Sequence, residues 1–295
     1  MKISKIFSYL VKSYKRGNIN GPVNLIYNYI TIKSEPLIVK SRPAFLLIEP
    51  TLKCNLNCVM CDKEQRSRTT KDMTFEQFVK IIDQFPYVQK LGIQGVGEPT
   101  LNKDFYKMVR YAKDHNIWTF FNTNCTSLTE SNIDKLIEAS PSEIRLSLDS
   151  LTKEVYNEIR KGANFDIVIR NIKKLTETCR DKPIIISLWV VLMDKNINEL
   201  IKFVEFCNNV SISRLIISSP QDWGNDKFRM VINELRIKNI DINTLKEIEN
   251  SIDTVGKKHK VDVIWLPRPS KVYLRRNENR RTCQWPWFST YITVE

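Results

Sequence analysis

The sequence predicts an α/β protein whose parallel sheet forms an open, partial (β/α)6 barrel. Short apolar segments alternate with segments of helical periodicity, which is typical of right-handed βαβ units. The chain has 295 residues, enough to bury the core of one large α/β domain. Catalytic residues of such barrels lie at the carboxyl ends of the strands, so the loops after the strands form the candidate site.

Six strand–helix units of this TIM-like arrangement fit between residues 43 and 219. The predicted strands are residues 44–49, 91–94, 118–122, 144–148, 184–192 and 215–217. The predicted helices are residues 74–84, 103–115, 129–139, 166–179 and 198–209. The chain is therefore divided into an N-terminal basic helical segment (1–42), a barrel core (43–220) and a C-terminal helical segment with a short extension (221–295).

The N-terminal segment begins with a basic amphipathic pattern over residues 2–16. Its apolar residues recur at helical spacing beside lysines, and Gly17 ends the pattern. The favoured interpretation is a helix packed on the outside of the main domain. The alternative is peripheral contact with an anionic membrane through residues 1–16. A second short helix and a linker are expected before residue 43.

The chain is strongly basic, with 46 Lys and Arg against 33 Asp and Glu, a formal net charge of +13. This charge favours acidic partners such as nucleic acid, anionic lipid, acidic peptide or phosphorylated metabolites, but lysines on solvated helix faces are the favoured explanation for it. It indicates no specific nucleic acid partner. Residues 1–17 lack the apolar region of a secretory signal, and the longest apolar run (184–193) is shorter than the roughly 18 residues of a membrane span. We expect a cytoplasmic protein.

Three of the seven cysteines are clustered directly after the first predicted strand, as Cys54, Cys58 and Cys61. An odd, clustered set in a chain without a secretory signal indicates metal binding rather than disulfide bonds. Three thiolates from one loop can bind three irons of a cubane cluster and leave the fourth iron open. A structural zinc site or a closed electron-transfer cluster would need a fourth ligand.

The C-x3-C-x2-C spacing, with Met60 before the third cysteine, resembles the signature of the radical SAM family. The neighbouring sequence segments Ile-Glu-Pro-Thr and Cys-Asn-Leu resemble that family as well. The resemblance covers residues 43–219. It implies a 4Fe–4S cluster whose open iron is chelated by S-adenosylmethionine, which is cleaved to a 5′-deoxyadenosyl radical. It also implies a flavodoxin or ferredoxin as the reductant. A zinc site or buried thiols remain the alternative.

The resemblance also assigns S-adenosylmethionine contacts to the loops after later strands. Gly-Glu-Pro after the second strand resembles the element whose backbone meets the amino group, and Asn-Thr-Asn-Cys-Thr after the third resembles a turn over the ligand. A serine and an arginine after the fourth strand match the residues that hold the ribose and the methionine carboxylate, and the end of the fifth strand matches the edge that packs on the adenine. The candidate residues are Met60, Gly97, Glu98, Pro99, Asn124, Ser147, Asp149, Arg160 and Leu192.

Several of these positions have a second interpretation. Cys125 stands where glycine is usual, and a small, semi-buried thiol is favoured there over a fourth cluster ligand. Arg160 could form a surface ion pair instead of binding a carboxylate. Asp149 could cap the following helix. Leu192 and Asn196 could be ordinary residues at a strand end.

The C-terminal part contains two further features. Residues 268–281 are rich in Arg and Lys, which predicts a solvated face or an acidic substrate site. Cys283 before Pro286 and Trp287 resembles the opening of a SPASM extension, in which this cysteine ligates an auxiliary iron–sulfur cluster and a strand follows. The further cysteines of that extension do not follow it. The chain is therefore expected to be truncated, or Cys283 to be a relic, or the site to be completed by Cys179 or Cys207, which are likelier core residues.

The resemblance therefore implies a radical SAM enzyme of the SPASM-linked kind, with peptide or protein modification weakly favoured over a sugar, lipid or cofactor precursor. A second hypothesis is a truncated, non-catalytic protein that binds the cluster and S-adenosylmethionine. A third is an RNA- or lipid-binding protein with a zinc site. No residue can be named from the sequence as the group that reacts with the substrate.

Overall fold

The computed structural model describes residues 20–61, 71–221, 226–237, 240–270 and 289–294. The helices in these ranges are α1 (Asn20–Ser34), α2 (Phe75–Asp83), α3 (Phe105–Asp114), α4 (Glu130–Ala139), α5 (Lys153–Ile159), α6 (Phe165–Thr178), α7 (Leu200–Asn209), α8 (Asp226–Leu235) and α9 (Ile242–Lys258). The strands are β1 (Phe45–Ile48), β2 (Asn57–Cys58), β3 (Lys90–Ile93), β4 (Trp118–Thr123), β5 (Glu143–Ser147), β6 (Arg160–Lys161), β7 (Ile185–Val191), β8 (Arg214–Ser218), β9 (Asp262–Leu266) and β10 (Ser289–Ile292).

Eight of these strands form one open sheet in the order β10-β1-β3-β4-β5-β7-β8-β9. Every neighbouring pair is parallel. The six central strands are the six that the sequence predicts, and the prediction of a partial (β/α) barrel is confirmed. The helices between them follow from amphipathic spacing. In α3, for example, the side chains at positions 105, 108, 109 and 112 are all buried.

The sheet continues beyond the six predicted strands at both edges. β10 pairs with β1, and the Glu49 N–H donates to Ile292 O at 2.9 Å. This strand lies where the resemblance of the last residues implies one. β9, which pairs with β8, was not predicted. An edge strand has a single neighbour, so its side chains stay partly exposed, and its apolar signal is correspondingly weak.

The two faces of the sheet differ in chemistry because successive side chains of a strand point to opposite sides. One face is aliphatic, and fully buried side chains such as Leu46, Leu91 and Leu146 belong to the main hydrophobic core. The interior face of the barrel combines aromatic rings with cations. There, the Arg145 guanidinium lies 3.8 Å from the ring centroid of Phe120. Helices cover the aliphatic face, and the interior face is the one that lies below the loops of the candidate site.

A separate two-stranded ladder joins the cysteine loop to the segment after α5. β2 pairs antiparallel with β6, so Asn57 lies opposite Lys161 and Cys58 lies opposite Arg160. The Val59 N–H extends the pairing by donating to Ile159 O at 2.9 Å. This ladder, between segments about 100 residues apart in the sequence, fixes the cysteine loop at the carboxyl end of the barrel.

No helix within the described ranges is long and apolar enough to cross a membrane. The predicted helix at residues 2–16, the basic residues beyond 270 and Cys283 all lie outside the described residues.

Candidate site at the carboxyl ends of the strands

The three clustered cysteines lie together on the loop that follows β1, and each is partly exposed. The Cys61 N–H donates to Cys58 O at 3.1 Å, which closes a turn around Met60, itself partly exposed. Burial raises the pKa of Cys58 to about 12, Arg160 opposes that rise, and the neighbouring Cys61 and Cys54 add to it. The three thiols are therefore close enough to act on one another, beside a fixed positive charge.

Three thiols on one loop are the donor set of a 4Fe–4S cluster that keeps one iron open. In the part of the chain that the structure describes, no three His, Cys, Asp or Glu side chains are arranged to hold one metal ion. In a 4Fe–4S cluster each thiolate binds a different iron, so the three sulfurs need not converge on one point.

The loop after β3 packs directly against the cysteine loop. A Cβ on Gly97 would overlap Thr51 O and come within 2.7 Å of Lys53 O, so only glycine fits there. The Glu98 N–H donates to Lys53 O at 2.7 Å. A Cβ on Gly95 would overlap the side chain of Glu49. The glycines of this loop therefore allow two backbone segments to approach each other at the site.

Glu98 connects the loop after β3 to the turn after β4. Its buried carboxylate accepts hydrogen bonds from Thr100 Oγ1 at 2.7 Å, Thr123 Oγ1 at 2.9 Å and the Asn124 N–H at 2.7 Å. Burial raises the pKa of Glu98, and these hydrogen bonds oppose the rise. All three donors belong to the protein, so the carboxylate of Glu98 positions the two loops and is not free to bind a ligand. Pro99, also buried, begins the 3-10 turn that follows.

The turn after β4 reaches the cysteine loop through Asn124. Its side-chain amide donates to Asn55 Oδ1 at 3.0 Å and lies 3.9 Å from Cys54 Sγ. Cys125 has a φ of 64°, the left-handed conformation that glycine adopts most easily, which explains why glycine is usual at this position. Its thiol is fully buried and donates to Thr123 O at 3.5 Å. Cys125 is therefore a buried core thiol in this structure, which does not support the fourth-ligand alternative.

A buried ion pair lies beside the cysteine loop. Arg160 Nη2 is 2.7 Å from Asp149 Oδ2, and the two side chains are 8% and 0% exposed. The other oxygen of Asp149 accepts the Val191 N–H at 2.8 Å. Burial would lower the pKa of Arg160, but Asp149 and Cys58 hold it above its usual value. Arg160 is therefore not in a surface ion pair, and Asp149 pairs with it instead of capping α5, whose N-cap is Thr152.

Arg160 also has an unsatisfied donor. Its Nε is buried and has no hydrogen-bond partner among the described residues. Asn122 Oδ1 and Gln94 Oε1, which lie at the carboxyl ends of β4 and β3, are buried without partners as well. Most buried polar atoms in proteins are hydrogen-bonded, so such a group of exceptions at one end of a barrel indicates a place for a ligand.

The remaining predicted positions lie at the ends of β5 and β7. Ser147 is the last residue of β5 and is 9% exposed. Leu192 follows β7 and is 2% exposed, and its N–H donates to Ser218 O at 2.7 Å. Asn196 is not available to a ligand, because its amide donates to Asp149 O and Val191 O and accepts from the Met193 N–H.

The barrel interior below the site contains a charged cluster that the sequence analysis missed. The Lys90 ammonium and the Arg145 guanidinium both lie against the Phe120 ring, at 4.9 Å and 3.8 Å from its centroid. The carboxylate of Glu143 pairs with Arg145 at 2.9 Å and with Arg214 at 3.1 Å. Burial, helped by Arg145, lowers the pKa of Lys90 to about 8. In the sequence, each of the strands β3, β5 and β8 shows only a single basic residue next to apolar ones.

Comparison with known proteins agrees with this description. The family model of the Radical SAM superfamily matches residues 48–207. Mycofactocin maturase MftC of Mycolicibacterium smegmatis is 30% identical over 162 residues, which are 55% of this chain and 41% of the relative. A probable GTP 3',8-cyclase of Methanocaldococcus jannaschii is 33% identical over 176 residues, 58% of this chain and 57% of the relative. The chain thus matches roughly half the length of these relatives.

A similar fold occurs in Streptococcus suis SuiB, whose crystal structure was solved bound to S-adenosylmethionine. The TM-score is 0.68, with 18% identity over 92% of this chain and 63% of SuiB. A second structure of SuiB contains the precursor peptide SuiA and has the same TM-score, with 92% and 62% of the two chains covered. At this level of identity the likeness extends to the fold alone.

Proposed function

This chain belongs to the radical SAM superfamily, and we propose that it holds a 4Fe–4S cluster on Cys54, Cys58 and Cys61 and cleaves S-adenosylmethionine reductively. One observation carries the proposal: the β2–β6 ladder places the cysteine loop beside Arg160, a buried cation with an unsatisfied donor. When bound, the cluster and S-adenosylmethionine supply a 5′-deoxyadenosyl radical that abstracts hydrogen from a substrate.

Different residues of the site would bind different groups of S-adenosylmethionine. Arg160 pairs with Asp149 through Nη2, and its Nε, which has no partner among the described residues, would donate to the methionine carboxylate. Gly97 lets the loop after β3 pack directly on the backbone of the cysteine loop, and the backbone of this loop would meet the amino group. Asn124 positions the edge of the cysteine loop through Asn55.

The other predicted residues shape the pocket. Two buried residues fix the loop after β3: Glu98 accepts a hydrogen bond from Thr123, and Pro99 begins the 3-10 turn. Ser147, at the end of β5, would contact the ribose, and Leu192, after β7, would pack on the adenine. Met60 would supply apolar surface on the cysteine loop. An apolar boundary of this kind also excludes water from a reactive radical.

We propose a peptide or protein as the substrate. The crystal structure of the similar protein SuiB contains a precursor peptide, and the relative MftC is named a maturase. The similarity to a GTP 3',8-cyclase supports the alternative, a small phosphorylated or cofactor-like substrate. A flavodoxin or ferredoxin, acting in the cytoplasm, supplies the electron in either case.

The test is anaerobic reconstitution with iron and sulfide, followed by dithionite and S-adenosylmethionine. The expected result is about four irons per chain and 5′-deoxyadenosine detected by mass spectrometry. Cys58→Ala should lose both. Cys179→Ala removes a buried thiol at the end of α6 and should keep both, which makes it the matched control.

Three outcomes would overturn the proposal. Zinc without iron and sulfide in anaerobically purified protein would indicate the structural metal site. A full cluster without any 5′-deoxyadenosine, in the presence of a range of candidate peptides, would indicate a non-catalytic cluster-binding protein. A Cys58→Ala variant that kept the full cluster would show that the ligands are assigned wrongly.

A further inference from the structure

Helix α1 turns a stripe of apolar residues away from the rest of the described chain. Val23, Ile26, Tyr27 and Ile30 recur at helical spacing and are each between 47% and 56% exposed. The segment directly after the helix also exposes Leu37, Ile38 and Val39, of which Leu37 is fully exposed. Seven of the fourteen large hydrophobic side chains that are exposed among the described residues therefore lie within residues 23–39.

The opposite side of α1 is polar and is the side that is buried. Asn24 and Asn28 donate their amides to Arg42 O at 3.0 Å and 2.9 Å, and the Arg42 N–H donates back to Asn24 Oδ1 at 2.9 Å. Thr31 accepts a hydrogen bond from Ser41 at 3.3 Å. Polar anchoring thus fixes the orientation of the helix with its apolar stripe outward. A contiguous apolar surface of this kind marks an interaction site.

The charge around this stripe selects its partner. Residues 1–42 contain eight Lys and Arg and one acidic residue, a net charge of +7, which is more than half of the +13 of the whole chain. Within the described part, Lys33, Lys40 and Arg42 are exposed beside the stripe, and Glu35 is the acidic residue there. An apolar strip bordered by cations, with a tyrosine among its aliphatic residues, matches the boundary between acyl chains and anionic headgroups.

We propose that residues 20–40 dock the protein on the surface of an anionic membrane, with the stripe of α1 and the Leu37–Val39 segment inserted at the headgroup level. Each lysine near such a surface adds electrostatic attraction, and the apolar side chains add burial. The contact is peripheral, since α1 has 15 residues, fewer than the roughly 20 that a spanning helix needs. This placement is independent of the proposed chemistry, because none of these residues belongs to the candidate site.

The experiment is flotation of the full-length protein, reconstituted anaerobically, with phosphatidylcholine vesicles that do or do not contain phosphatidylglycerol. We expect flotation only with the anionic vesicles, and its loss at high salt. Ile26→Ser with Ile30→Ser should weaken binding about ten-fold or more, because two apolar side chains no longer insert. Lys33→Glu with Lys40→Glu should weaken it as well.

Matched controls come from the helices of the barrel. Ile167→Ser with Ile201→Ser replaces two isoleucines that are 38% and 42% exposed elsewhere and should leave flotation unchanged. Lys173→Glu with Lys202→Glu makes the same change in net charge on exposed positions far from the stripe and should have a smaller effect than the Lys33 and Lys40 pair. All four variants should form 5′-deoxyadenosine in detergent-free solution at the wild-type rate.

Three results would overturn the proposal. The wild type could fail to float with anionic vesicles, or the Ile26 and Ile30 variant could float as well as the wild type, in which case residues 20–40 are not the contact. Light scattering could instead show a dimer that the same two substitutions dissociate, without vesicle binding, and the stripe would then be an interface between two copies of the chain.

Discussion

Cys58 and Arg160 lie directly opposite each other in the two-residue antiparallel ladder that joins the cysteine loop to the end of α5. The thiol that is proposed to hold an iron and the guanidinium that is proposed to hold a carboxylate are therefore placed by the same backbone hydrogen bonds. Asp149 stands behind the guanidinium at 2.7 Å and balances its charge in the absence of a ligand. If the proposed ligands are correct, this ladder would set the position of the cluster relative to S-adenosylmethionine.

Asp149→Asn is expected to destabilise the protein, because it leaves Arg160 charged and buried without a counter-charge. Breaking one side of a buried pair costs about 3–5 kcal/mol. The measurement is urea denaturation of the wild type and the variant under anaerobic conditions. Asp114→Asn is the control, since it breaks the Arg110–Asp114 pair in which both side chains are 55% exposed and should cost less than about 1 kcal/mol.

Arg160→Lys is expected to separate cofactor binding from cluster assembly. Lysine keeps the positive charge near Asp149 but has no planar fork and no Nε donor. Iron and sulfide content should stay at the wild-type level, while the affinity for S-adenosylmethionine should fall about ten-fold or more. Equilibrium dialysis measures the second quantity. Loss of the cluster, or unchanged affinity, would contradict the role assigned to Arg160.

Gly97→Ala is expected to damage the site more than Gly95→Ala. The added methyl at residue 97 overlaps two backbone carbonyls of the cysteine loop, which cannot move independently, whereas at residue 95 it overlaps the side chain of Glu49. We expect Gly97→Ala to lower the iron content after reconstitution and Gly95→Ala to retain more of it. Equal iron content in the two variants would show that the contact with Thr51 O does not position the cysteines.

The strands and the cysteine loop could be predicted from the sequence because both depend on local patterns. Buried parallel strands are short apolar runs such as Ile185–Val191. Three closely spaced cysteines indicate a metal or cluster site by their spacing alone. The β2–β6 ladder could not be predicted, because its two-residue strands have no periodicity and pair over a long separation. The interactions of Asn196 could not be predicted for the same reason, since its partners on the loops after β5 and β7 meet only in the folded chain.

The charged cluster inside the barrel was missed for a related reason. Arg145 and Lys90 appear in the sequence as single basic residues within apolar strands, where an exposed position would be the ordinary interpretation. Only the sheet places them side by side, over the ring of Phe120. Sequence pattern alone cannot distinguish a Lys or Arg whose aliphatic chain is buried against an aromatic ring from one that is fully exposed to solvent.

Cys125→Ala is expected to retain the cluster. The thiol of Cys125 is buried and donates to the Thr123 carbonyl, and its φ of 64° is unchanged by the substitution. Iron and sulfide content should match the wild type, in contrast to Cys61→Ala, which should lose both. Cys125→Gly should also retain the cluster, because glycine adopts this conformation without strain. Loss of iron in both Cys125 variants would make Cys125 a ligand.

Lys90 should make the stability of the protein depend on pH at alkaline values. Its pKa falls from the ordinary 10.5 to about 8 on folding, so between these values the unfolded chain binds more protons than the folded one. The free energy of unfolding therefore rises with pH across this window, by up to about 3 kcal/mol. Below the lower value the penalty of the buried charge is fully present, with Arg145 and Arg214 adding repulsion that Glu143 partly offsets.

Because cysteines titrate in the same range, the quantity to follow is the difference between the wild type and Lys90→Met, measured by urea denaturation. We expect Lys90→Met to be favoured most near neutral pH and to lose that advantage by a pH of about 10.5, while Lys202→Met, at an exposed position on α7, should give a difference that does not change with pH. A constant difference for Lys90→Met as well would mean that Lys90 remains protonated and solvated in the folded protein.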